Sequence, residues 1–266
     1  MPKDWSEEFV HHWKYFIGPA RPGPSELEKI RQKILEKGED AKVLILGSTS
    51  EYRNLLGELG IPVTLIDFKR YNYEHLSDEV ENMPQERFIE GDWLSTVLDE
   101  KFDIILADNV LNIVCKKDLR ELLKNVSKML EPNGYFLPRT YIRRKGEKID
   151  PVKVIEKYRE KRDGESFYTW TARDLYIAVY DTEKDCATLK DVWTLIKSLH
   201  DKGLFTDREL EEWRKNSFEN RELTFYMPSE DDLDKALKEF FRIVEVFNGT
   251  EEYLKGDVPL HILKPK

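Results

Sequence analysis

Three acids in this chain, Asp67, Asp92 and Asp108, each follow the end of an apolar run, and Gly47 ends another. A carboxylate at a strand end can take two hydrogen bonds at once from a ribose diol. Asp67 lies roughly twenty residues beyond Gly47, the spacing of an acid that reads a ribose. The glycine belongs to Ala41-Lys42-Val43-Leu44-Ile45-Leu46-Gly47-Ser48-Thr49-Ser50-Glu51-Tyr52, an apolar strand that breaks at a turn and runs into a helix. Ligands of open α/β sheets bind at the carboxyl ends of the strands, so Gly47 to Glu51 are expected to touch one. A dinucleotide fingerprint would need glycine at Thr49 and Tyr52, where the backbone must approach a pyrophosphate and the helix must pack on the strand. A β-branched residue and a tyrosine stand there, which disfavours a dinucleotide.

The elements that must hold these residues alternate. After the first strand and its helix come a strand over 62–67, a third ending in Phe88-Ile89-Glu90-Gly91-Asp92-Trp93, and a fourth over 102–108. Leu119, Leu122, Leu123, Val126 and Leu130 mark one face of a helix, which Glu131-Pro132-Asn133-Gly134 stops before a fifth strand. Two more strands, 242–247 and 259–263, are joined without room for a crossover helix, so the last should run antiparallel. The fold class expected is therefore α/β, a doubly wound and mostly parallel seven-stranded sheet with an antiparallel last strand.

Around that core, residues 1–40 are expected to form a helical lid, with Phe9, Trp13 and Phe16 at helical spacing. Ser25-Glu26-Leu27-Glu28 reads as a capping box opening a second helix. Residues 41–144 would be the core, 145–222 a helical insertion capping the substrate, and 223–266 the last two strands.

Composition narrows the function. The 266 residues carry 43 Lys+Arg against 52 Asp+Glu, and a net charge of −9 argues against bulk attraction to nucleic acid or an anionic membrane. Two cysteines, Cys115 and Cys186, make no disulfide framework, so a reducing cytoplasm is expected. No apolar run has the length of a membrane span, and the first residues lack the apolar stretch of a signal peptide. The charge-rich, cysteine-poor composition suits a thermophile.

Taken together, Gly47, Asp67, Gly91-Asp92-Trp93, Asp108-Asn109 and the run Leu123 to Phe136 resemble the class I S-adenosylmethionine (SAM)-dependent methyltransferases. The resemblance covers about 41–137 and resumes over 224–263; Trp13 with Gly18-Pro19-Ala20-Arg21-Pro22 is similar to the lid of some members. It departs at the loop, where the family commonly has glycines at the positions of Gly47, Thr49 and Glu51. The resemblance implies SAM as cofactor, held by Gly47, Ser48, Thr49, Ser50, Asp67, Phe68, Asp92, Trp93, Asp108, Asn109 and Val110. Asp67 would bind the ribose, Asp92 the adenine amino group with Trp93 on the base, and Asp108 and Asn109 the methionine end.

The acceptor expected is a small molecule or one the sequence leaves unidentified, with Tyr15, Arg139 and Tyr141 as its candidate contacts. The basic run Arg139, Arg143, Arg144, Lys145 and Lys148 reads either as a solvated face or as a holder of an anionic substrate. Methyl transfer from a sulfonium needs no dedicated base, and no catalytic residue is assigned. Asp108-Asn109-Val110 resembles the metal-ligand pair of catechol-type O-methyltransferases but follows the wrong strand, so no metal is expected. Base-amino methyltransferases would show two prolines where Val110-Leu111 stand, which speaks against nucleic acid as substrate. Two other functions remain compatible with the fold, a non-catalytic SAM-binding module and an NAD(P)-dependent oxidoreductase. Assembly is expected to be a monomer or homodimer.

Overall fold

The computed structural model describes Trp13, Phe16 and residues 18–159, 167–216, 223–251 and 256–266. Phe9, named above for the lid, and Tyr15, named as an acceptor contact, lie outside the described residues.

Helix α1 (Pro24–Leu35) precedes strand β1 (Val43–Leu46), helix α2 (Ser50–Leu59), strand β2 (Val63–Asp67), helix α3 (Arg70–Ser77) and strand β3 (Glu86–Glu90). Strand β4 (Phe102–Asp108) leads through the short helix α4 (Val110–Ile113) and helix α5 (Lys116–Met129) into β5 (Leu130–Arg139). Every residue of β1 and β2 is buried, as expected of central parallel strands covered on both faces. Leu119, Leu122, Leu123, Val126 and Met129 put one face of α5 on the sheet.

After the helical insertion, helix α10 (Glu230–Phe240) and strands β8 (Phe241–Phe247) and β9 (Leu260–Pro265) complete the sheet in the order β3-β2-β1-β4-β5-β9-β8. Only β9 runs antiparallel to its neighbours, as the short β8–β9 connection requires. Because the chain leaves β1 toward β2 and later returns to place β4 on its other side, β1 and β4 flank the switch point, where a crevice opens at their carboxyl ends.

The insertion builds a body of its own from α6 (Pro151–Arg159), α7 (Phe167–Ala178), α8 (Leu189–Asp201) and α9 (Asp207–Asn216). A small antiparallel pair, β6 (Ala187–Thr188) with β7 (Thr224–Phe225), ties the start of α8 to the segment that follows α9. Its apolar cluster is separate from the two on the sheet faces and centres on Trp193 and Trp213, both fully buried with rings 6.2 Å apart. Helix α9 starts as its sequence suggests: Glu209 accepts from the Thr206 amide at 2.8 Å and its own amide donates to the Thr206 hydroxyl.

Two local expectations change. Helix α1 begins at Pro24 behind Gly23, not behind Ser25, because Glu26 accepts from the Gly23 amide at 2.8 Å and proline suits the first helical position. Helix α10 was not anticipated, although Ser229 caps it by accepting from the Asp232 amide and Leu233 and Leu237 pin it to the core. No helix among the described residues is long and apolar enough to cross a membrane.

Candidate functional site

The turn after β1 is set by Gly47, whose φ of +101° is one that side-chain-bearing residues rarely adopt. A Cβ there would meet Trp93 only at an ordinary 3.8 Å, so glycine is required by backbone conformation and not by crowding. Gly47→Ala is therefore expected to destabilise the protein by about 1–3 kcal/mol, read as a lower urea midpoint. An unchanged midpoint would mean that the turn relaxes.

Asp67, at the end of β2, is almost wholly buried. Ser48 donates its hydroxyl to Oδ2 at 2.6 Å, and the Phe68 amide and Asn72 side chain donate to Oδ1 at 2.7 and 3.4 Å. Burial pushes the Asp67 carboxyl above the usual range, and these donors pull part of the way back. Asn72, on α3, keeps its own Oδ1 buried without a partner.

Trp93 is held by a hydrogen bond from Nε1 to the Ile66 carbonyl at 2.8 Å and packs on Phe68 with ring centroids 4.2 Å apart. Asp92 accepts from the Leu94 amide at 2.9 Å, so one oxygen serves its own turn.

At the end of β4, Asp108 accepts from Arg139 Nη1 at 3.0 Å. That guanidinium is fully buried. Its Nε donates to both carboxylate oxygens of Glu26 at 2.9 Å, and Nη2 donates to the carbonyls of Pro19 and Arg21. Burial pushes the Asp108 carboxyl up to about 7 although Arg139 opposes it. Asn109 turns the chain into α4 with a φ of +55° and leaves its Oδ1 buried and unpartnered. Asn112 closes the corner, accepting from the Tyr141 amide and donating to the carbonyls of Tyr141 and Tyr226.

These strand ends open into one cavity. Gly47, Ser48, Thr49, Asp67, Trp93, Asp108, Asn109 and Tyr141, all named from the sequence, line it. Opposite them stands one face of α7, with Tyr168, Thr169, Ala172, Arg173 and Tyr176 at positions i, i+1, i+4, i+5 and i+8, beside Phe225 and Met227. Trp13 and Phe16 close the wall: Trp13 Nε1 donates to Ser50 Oγ at 3.0 Å, and Phe16 stacks on Tyr168 at 5.8 Å. The segment after them is clamped down by Arg139 on Pro19 and by an Arg21–Glu51 ion pair.

Ser50, Phe68, Asp92 and Val110 do not line the cavity. Ser50 and Val110 are buried behind it, Phe68 supports Trp93, and Asp92 caps its turn. Arg139, expected at the acceptor, is instead sealed beneath the wall with its nitrogens committed to Glu26, Asp108 and two backbone carbonyls. Asn72, Asn112, Arg173, Phe225 and Met227 are wall residues that the sequence did not single out. Asn72 falls one helical turn past Asp67, a faint signal; the others come from elements whose neighbours only the folded chain reveals. Among the described residues no group of three His, Cys, Asp or Glu side chains is arranged to hold a metal ion.

Residues 45–137 match the family model of a methyltransferase domain. Among solved structures, the CcbJ methyltransferase from Streptomyces caelestis matches with a TM-score of 0.59 at 12% identity, over 98% of this chain and 99% of that one. The N-methyltransferase NodS from Bradyrhizobium japonicum, in complex with S-adenosyl-L-homocysteine (SAH), matches with a TM-score of 0.51 at 13% identity, over 98% and 99%. A putative zinc-dependent alcohol dehydrogenase from Rhodobacter sphaeroides matches with a TM-score of 0.59 at 13% identity, over 99% and 100%. At such identities the likeness is one of fold. No curated protein matches the chain.

Proposed function

We propose that this chain, which belongs by its fold and its methyltransferase domain to the class I SAM-dependent methyltransferases, carries a methyl group from SAM to a small-molecule acceptor. One observation supports this above the rest. The Gly47 turn, Asp67 and Asp108 line a single cavity at the switch point of the sheet, and a helical body covers its outer side.

The residues present fit SAM. Asp67, with the unpartnered Asn72 Oδ1 beside it, offers acceptors to ribose hydroxyls. Leu46 and Trp93 offer apolar surface to the base. Asp108 and the unpartnered Asn109 Oδ1 offer negative potential and an acceptor to the ammonium and sulfonium end. SAM supplies a methyl group made electrophilic by the positive charge on its sulfur. The protein's own contribution is position: α7 and the 18–26 segment hold the acceptor side against the strand ends and exclude water. A nicotinamide cofactor fits less well, since Thr49 stands in the turn and Tyr52 is wholly buried where the fingerprint needs glycine.

Calorimetry with SAM, SAH and NADH tests this, and its pH dependence has a sign. A bound cation favours the ionised Asp108, whose carboxyl in the free protein lies up at about 7, so binding releases a proton. SAM affinity should therefore rise with pH toward 7 and level off above it, by up to about tenfold per pH unit on the acid side. Asp108→Asn should flatten that slope. Heat with NADH and none with SAM would overturn the assignment, and a flat wild-type profile would remove Asp108 from contact with the ligand.

A further inference from the structure

The acceptor half of the cavity carries two features that together select a chemistry. Its wall is aromatic: Trp13, Phe16, Tyr168, Tyr176 and Phe225 line it, with Phe16 stacked on Tyr168 and Phe225 edge-on to Tyr176 at 4.8 Å. Its electrostatics are negative, because its guanidinium is already spent. Arg173 donates to Asp174 Oδ1 at 2.7 Å and to Glu147 Oε2 at 3.1 Å, lies 3.3 Å from Asp257, and gives Nε and Nη2 to the Ile142 carbonyl. Three carboxylates thus meet at Arg173, one of them, Asp257, shared with the exposed Arg144. The second buried guanidinium near the wall, Arg139, is likewise shared between Glu26 and Asp108.

The basic run after β5 does not reverse this. Arg143 donates to the Met227 carbonyl and lies 3.3 Å from Asp185, while Arg144, 3.9 Å from Asp257, is exposed with Lys145 and Lys148 on the following loop, which still leaves three carboxylates to two guanidiniums there. Among the described residues, an anionic acceptor would meet a low-dielectric site with no spare donor fork and an excess of carboxylates.

We propose that the acceptor is an amine borne on a flat apolar body, with the aromatic wall taking the body and the carboxylate-rich surround favouring the nitrogen over an anionic nucleophile. The proposal rests on SAM being the donor. The amine enters as an ammonium and gives one proton to water, which frees its lone pair; that pair forms the C–N bond as the C–S bond breaks and leaves its electron pair on sulfur. The positive charge passes from sulfur to nitrogen and is conserved, so a negative surround stabilises both ends of the step. The methylammonium product leaves with the charge or gives its proton to water. A phenolate or carboxylate acceptor would instead cancel the charge, and would first have to be brought as an anion among these acids.

The test uses three probes of one shape, phenethylamine, para-ethylphenol and hydrocinnamate, with the full chain. Binding of each to the SAH-loaded protein is read by calorimetry, and labelled methyl transfer from SAM is read beside it. The amine is expected to bind the loaded protein and accept methyl roughly tenfold or more better than the phenol or the carboxylate. Tyr176→Ala should weaken the amine while leaving SAM affinity unchanged, which also shows that the variant is folded. Preference for the phenol or carboxylate, or no amine binding to a protein that does bind SAH, would overturn the proposal. Failure to bind SAM or SAH at all would fell the methyltransferase assignment, and this proposal with it.

Discussion

Arg139→Met is expected to destabilise the protein by about 3–5 kcal/mol, the scale for breaking a buried ion pair from one side. The guanidinium is fully buried and stands between the carboxylates of Glu26 and Asp108, which would be left facing one another in a low-dielectric interior. It also donates to the Pro19 and Arg21 carbonyls, so the same change frees the 18–26 segment from the strand ends. Urea unfolding at neutral pH would show the loss. Adding Glu26→Gln should recover part of it, because one of the stranded charges goes with it. If the single variant unfolds at the wild-type midpoint, the triad does not hold the 18–26 segment. A lowered stability with no recovery in the double variant would mean that Arg139 acts mainly through the carbonyls.

The second large effect falls on the cofactor. Asp67→Ala should weaken SAM by about 2–3 kcal/mol, or roughly 30- to 150-fold, since it removes a charged acceptor for two ribose hydroxyls. Ser48 would lose the oxygen its hydroxyl now meets at 2.6 Å, so a smaller loss of stability should accompany the weaker binding. Asp67→Asn keeps the shape and one acceptor oxygen and should fall between the two. Calorimetry on folded protein decides it, and wild-type affinity in the alanine variant would take Asp67 out of the site.

The two predictions draw on different information. The place of Asp67 at a strand end was legible from the sequence because it depends on local pattern: an apolar run of strand length that ends in an acid, a set distance after a strand that ends in glycine. The same logic made the sheet readable. Side-chain alternation, a helix face of Leu119, Leu122, Leu123 and Val126, and turns at Gly47 and Asn133-Gly134 act over a few residues, so the seven strands and the antiparallel last one could be placed. Helix α10 was a missed local signal, as Ser229 and the Leu233–Leu237 spacing were there to be read.

Arg139 shows the opposite case. In the sequence it heads a basic run and looks available to an anion; in the fold its partner Glu26 lies 113 residues away. Arg173 is similar, with Glu147 and Asp257 brought to it from separate loops. Whether a charge is free or spent depends on which distant groups packing brings within a few ångströms, and residue type carries no trace of that. The chain's local chemistry thus set out a parallel sheet, its glycine turn and the acids at its strand ends. Long-range packing alone determined that Asp67 and Asp108 share one cavity, that α7 forms its far wall, and that its guanidiniums are already neutralised.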